Sequence, residues 1–140
     1  THAAQGGADG EHGQKLKQVD YTFDVLKKTL GNTFKNTLII TLTEFGRTLV
    51  QNNGYGTEHG YGTSILLGGG LVKKSQVYAD WPGIKNKNLF EGRDLNSTLD
   101  ARSVYCSAMS VCFDTDFQLL NTEVFPDEKL NDLTEILFKV

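Results

Sequence analysis

The apolar run Leu38-Ile39-Ile40-Thr41-Leu42, followed at once by Thr43-Glu44-Phe45-Gly46-Arg47-Thr48, constrains this chain more than any other segment. β-Branched and leucine-rich residues without polar alternation predict a strand over about 37–43 that is covered on both faces, as in the sheets of α/β folds. Such sheets bind ligands just outside the carboxyl ends of their strands. Glu44 stands at that end. The loop beyond it carries Gly54, Gly56, Gly60 and Gly62 around His59, a composition that lets backbone fold closely around an ion or an anion.

Helical periodicity supplies the other half of the pattern. Leu16, Val19, Phe23, Leu26 and Leu30 recur at steps of three and four and are closed by Gly31, which predicts an amphipathic helix with a glycine C-cap. A second apolar run, Ser64-Ile65-Leu66-Leu67, ends in three glycines, and helix followed by strand through short links is α/β grammar. Val72, Val77 and Tyr78 suggest a short hairpin before the turn at Pro82-Gly83. A helix is predicted from Ser97–Asp100 to about Phe113, with Ala101, Val104, Tyr105, Ala108, Val111 and Cys112 on one inward face. A last helical segment is expected after Pro126-Asp127, with Leu130, Leu133, Ile136 and Leu137 as its stripe. Cys106 and Cys112 on one helix are about 9 Å apart along its axis, too far for a disulfide. They read as two buried thiols.

The charge balance excludes some partners. A net charge of −3 from 14 basic and 17 acidic residues gives no electrostatic case for nucleic acid or an anionic membrane. No apolar stretch is long enough for a membrane span. The length suits one domain.

The order of motifs resembles a known family. Thr1-His2-Ala3-Ala4-Gln5 looks like an Asp-Thr-His stretch lacking its Asp, and Thr43-Glu44-Phe45-Gly46-Arg47-Thr48 and Gly56-Thr57-Glu58-His59-Gly60 follow. Later come Gly68-Gly69-Gly70, Asp80-Trp81-Pro82-Gly83, Gly92-Arg93-Asp94-Leu95 and Val124-Phe125-Pro126. Each is weak alone; in series they resemble the C-terminal part of the domain of unknown function 1501 family, within the alkaline phosphatase and sulfatase-like superfamily. The resemblance implies a three-layer α/β/α sandwich of alkaline phosphatase type, of which residues 1–140 are expected to form the C-terminal portion. It also implies a metal-dependent hydrolase of phosphate or sulfate esters, exported to the periplasm or secreted. A non-catalytic exported binding or structural protein on the same fold is the other reading, because fold alone does not choose.

The same resemblance nominates the site. His2 corresponds to the histidine of the Asp-Thr-His motif, Glu44 to the acid at the strand end and His59 to the histidine of a Gly-Thr-Asp-His-Gly motif. Together they imply a divalent metal ion such as zinc or manganese, whose ligands are imidazole nitrogens and carboxylate oxygens. Arg47 suits a small anionic ester through its planar fork; an ion pair to Glu44, Glu58 or Asp94 is the alternative. Glu58 is expected to hydrogen-bond its neighbouring histidine. His12, near a helix start, is left outside the site. Where the phosphatases carry an Asp-His pair this chain has Glu44-Phe45, so an apolar ring replaces one imidazole of a two-metal site. Arg93-Asp94 and Asp100-Arg102 read as structural pairs.

Overall fold

The computed structural model describes residues 2–140. In chain order the elements are α1 (Glu11–Leu30), β1 (Ile39–Ile40), β2 (Gly46–Arg47), β3 (His59–Gly60), β4 (Leu67–Gly68), α2 (Ala101–Phe113), α3 (Phe117–Val124) and α4 (Thr134–Leu137). Short 3-10 turns stand at Gly7–Asp9, Gly31–Asn36 and Asn86–Asn88. The mixture is α/β, in agreement with the sequence. Among the described residues no helix is long and apolar enough to cross a membrane. The chain forms two compact units.

The first unit takes in the chain up to Gly31, then Leu42–Ile65 and Trp81–Thr98. α1 covers the predicted stripe and stops where Gly31 adopts φ 49°, a left-handed value that costs a residue without Cβ little. β2 and β3 pair antiparallel, with Gly46 opposite Gly60 and Arg47 opposite His59. Glycine is required in this ribbon, because a Cβ on Gly46 would fall 1.8 Å from the Gly62 carbonyl oxygen. Beyond it Thr48 bridges to Asp94. Asp94 is 2% exposed and accepts from the Nε–H and Nη2–H of Arg93, both at 2.9 Å, a bidentate fork that makes this pair structural.

The second unit comprises Asn32–Thr41, Leu66–Asp80 and Leu99–Val140. In it β1 pairs antiparallel with β4, Ile39 opposite Gly68 and Ile40 opposite Leu67. This revises the strand expected over 37–43: two of its residues join the ladder, and Ile39 and Ile40 are half-buried rather than covered on both faces. The partner sets where the ladder starts. Gly69 turns to φ 110° against the Thr37 carbonyl, and a glycine bend of this kind ends strand pairing. The hairpin around Val72, Val77 and Tyr78 is also replaced, since Val72 bridges to Phe138 and Val77 is 93% exposed.

α2 starts at Asp100, whose side chain accepts from the Arg102 N–H at 2.9 Å, and α3 starts at Asp116, which accepts from the Leu119 N–H at 2.8 Å. Both are N-caps of the usual acidic kind. Arg102 also spans Asp100 and Glu128 at 2.6 and 2.5 Å. The core consists of Val104, Cys106, Ala108, Phe117, Leu133, Leu137 and Phe138. Ser103 and Ser107 are buried beside it, and their hydroxyls accept from the N–H groups of Asn131 and Leu133 at 3.0 and 2.9 Å. Those N–H groups therefore need no helical partner, so the last helix contracts to α4 and the segment before it runs irregular. The expectation for Cys112 is corrected too: both cysteines are free, Cys106 buried and Cys112 exposed. Six helical positions rotate a side chain by about 240°, which turns Cys112 away from the buried face.

Candidate functional site

Every residue nominated from the sequence lies in the first unit. Its loop between β2 and β3 is built on Asn52, whose N–H donates to the Gly56 carbonyl at 2.8 Å while its carbonyl accepts from the Tyr55 N–H at 3.1 Å. The Asn52 side-chain oxygen accepts from the N–H groups of Gly54 and Gly56, both at 2.9 Å, an Asx-type turn. Tyr55 is held at φ 60°, uncommon for a bulky residue. The N-terminal segment straps onto this turn, with the Ala4 N–H donating to Gly54 at 2.8 Å and the Gln5 N–H to Tyr55 at 2.9 Å. A Cβ on Gly56 would lie 2.4 Å from the His2 carbonyl carbon. Glycine at 56 is thus what lets His2 arrive beside the loop.

Side chains meet where the strap and the ribbon converge. The rings of His2 and His59 have centroids 4.9 Å apart and are tilted by 42°. His59 stacks on Phe45, with centroids 3.8 Å apart. The His2 Nδ1 lies 3.0 Å from Glu58 Oε2, and the other Glu58 oxygen accepts from the Asn52 side-chain nitrogen. Asn52 first and His2 second hold the Glu58 carboxyl below its usual range. It is ionised at neutral pH and acts only as an acceptor. The bond expected from Glu58 to His59 goes to His2 instead, because successive residues of an extended chain project to opposite sides.

Arg47 is half-buried. Its Nη1–H donates to the Thr57 carbonyl at 3.0 Å, and its guanidinium carbon lies 5.8 Å from the Phe45 ring centroid, within cation–π range. Of the partners weighed for it, Asp94 is taken by Arg93 and Glu58 by His2. Arg47 makes no ion pair among the described residues. Glu44 is exposed and makes no hydrogen bond or ion pair among them. His12 is exposed on the first turn of α1.

The geometry thus joins His2, His59, Glu58 and Phe45, and Glu44 enters none of these contacts. Among the described residues no group of three His, Cys, Asp or Glu side chains is gathered to hold a metal ion. Donor chemistry fits a borderline divalent ion, since two imidazoles are adjacent and His2 turns Nδ1 to Glu58, leaving Nε2 for a ligand. Donor number is what falls short. Sequence reasoning missed Asn52, although an Asn placed two and four residues before Gly54 and Gly56 is itself the signal of an Asx turn.

No curated protein and no solved structure matches this chain. Residues 1–112 match the family model described as protein of unknown function, DUF1501. That span holds the strap, the ribbon, the Asn52 turn and the Arg93–Asp94 fork, and by it the chain belongs to the DUF1501 family.

Proposed function

We propose that this chain belongs to a metal-dependent hydrolase of phosphate or sulfate esters, built on a three-layer α/β/α sandwich of alkaline phosphatase type and exported to the periplasm or secreted. The observation that carries the reading is one face of the β2–β3 ribbon. Opposed residues of an antiparallel pair project to the same side, so Arg47 and His59 share a face, with the His2 ring 4.9 Å from that of His59. A cation fork beside two imidazoles is an arrangement suited to a tetrahedral anion. When bound, a zinc or manganese ion would supply Lewis acidity toward the ester oxygens. His2 and His59 are its proposed donors, with Glu44 as the third. Arg47 commits one N–H to Thr57 and has further donors in its fork for two ester oxygens.

The test uses the protein loaded with zinc and, separately, manganese, with bound metal measured by elemental analysis and turnover with 4-nitrophenyl phosphate and sulfate. Glu44→Ala and His59→Ala are expected to lose the metal while the helical circular dichroism is retained, because loop ligands add little to a core. Unchanged metal content in both variants would sink the donor set. A second reading, a non-catalytic binding or structural protein, is favoured by the Phe45 ring stacked on His59 where the resembled phosphatases carry an imidazole. Metal retained by the parent without hydrolysis of either ester decides for it.

A further inference from the structure

The Asn52 side chain uses its whole hydrogen-bonding capacity. An amide offers two N–H donors and two acceptor positions on its oxygen. Here the nitrogen donates to the His2 carbonyl at 2.8 Å and to a Glu58 carboxylate oxygen, and the oxygen accepts from Gly54 and Gly56. The orientation of the amide follows from its partners, since the reverse would set oxygen against two acceptors and nitrogen against two donors. With one carboxylate oxygen held by Asn52, the other faces Nδ1 of His2 at 3.0 Å. A carboxylate accepts and does not donate, so the proton of a neutral His2 ring belongs on Nδ1.

We infer that Asn52 is a positioning residue: through the Glu58 carboxylate it fixes the His2 imidazole as the Nδ1–H tautomer and presents Nε2 as the open nitrogen of the site. The same amide holds the backbone carbonyl of His2, so both ends of that residue are referenced to one side chain. The purpose of the device rests on the metal-site reading above; the hydrogen-bond chain itself does not require a metal. Its polarity makes it testable.

The experiment takes the full chain labelled with ¹⁵N-histidine, metal-free, at about pH 8.5, where ordinary imidazoles are neutral. Two-bond ¹H–¹⁵N couplings identify which ring nitrogen carries the proton, and His12→Gln and His59→Gln assign the His2 signals. The parent is expected to show His2 as Nδ1–H. Glu58→Gln should invert it: Asn52 claims the oxygen of the new amide, whose NH₂ then faces Nδ1 and forces the proton to Nε2. A residue that merely held the turn would leave the new amide unoriented and produce no inversion. His2 found as Nε2–H in the parent, or no inversion in Glu58→Gln, overturns the inference. Failure of the parent to take up either zinc or manganese would sink the hydrolase reading and leave the tautomer result standing.

Discussion

The two units are held together by different physics. The second buries seven apolar side chains, with Phe138 and Cys106 at 0% exposure. In the first, the buried described residues are Gly46, Thr48, Gly56, Gly62 and Asp94. Apolar burial is non-directional and scales with area, so the second unit tolerates irregular backbone around a packed centre. The first unit depends on backbone approaching backbone at glycines and on directional bonds through Asn52, Arg93 and Asp94. Such a region is specific in geometry and low in local stability, which is where ligand loops are commonly found.

The largest expected effect breaks the apolar side of this comparison. Phe138→Ala removes a fully buried ring and should cost about 3–5 kcal/mol. Cys106 reports it. Its thiol donates to the Phe117 carbonyl at 3.7 Å and burial pushes its pKa up, so reagent reaches a thiolate only through opening of the core. At about 1.4 kcal/mol per tenfold, Phe138→Ala should speed labelling of Cys106 by about a hundredfold or more, up to the rate of Cys112. Cys112, exposed, should label at the same rate in both proteins. Equal rates for the two cysteines in the parent would contradict the core described here.

A smaller effect sharpens the other side. Gly56→Ala sets a Cβ 2.4 Å from the His2 carbonyl carbon and 2.5 Å from the Ala3 nitrogen, neither of which belongs to a flexible side chain. Overpacking of this kind costs about 1–3 kcal/mol. Amide exchange at Ala4 and Gln5, which bond to Gly54 and Tyr55, should accelerate, and the close approach of the His2 and His59 rings should be lost from nuclear Overhauser spectra. Labelling of Cys106 should not change. If it accelerates in step with the strap, the two units do not differ in the way proposed.

Legibility followed the same division. α1 and α2 were readable because their apolar steps and their terminators, Gly31 and Asp100, lie in consecutive sequence. The strand at 37–43 was overextended at its start because that end is set by Gly69, a residue of its partner. α3 was missed because Asp116 is one of three consecutive cap-type residues, Asp114, Thr115 and Asp116, and only its bond to Leu119 singles it out as the cap. Cys112 was turned inward by an apolar tally, whereas the buried face runs through Ser103 and Ser107, whose hydroxyls find backbone partners. In the site, His2, Glu44, His59 and Arg47 came from motif resemblance. The Glu58 contact to His2 joins residues 56 apart in sequence, and no local pattern encodes it.

The smallest effect concerns acid. Glu58 is held below its ordinary value of 4.5, by Asn52 first and then by His2, and Asp100 in the second unit is likewise held down, chiefly by Arg102. For a carboxyl whose folded pKa is depressed, the unfolded chain binds more protons between the two values, so stability rises with pH across that window. The Glu58 contribution is therefore complete above about pH 4.5 and is lost as pH falls through the depressed folded value. With its side chain 55% exposed, solvent screening keeps the effect local. Exchange at Ala4 and Gln5, corrected for the intrinsic pH dependence of amide exchange, should show the strap loosening below pH 4.5. Glu58→Gln should abolish that acid step while leaving intact the acid response of the α2 N-terminus, which belongs to Asp100. A strap that loosens equally in Glu58→Gln would assign the acid response to another group and detach the carboxylate from the geometry of the site.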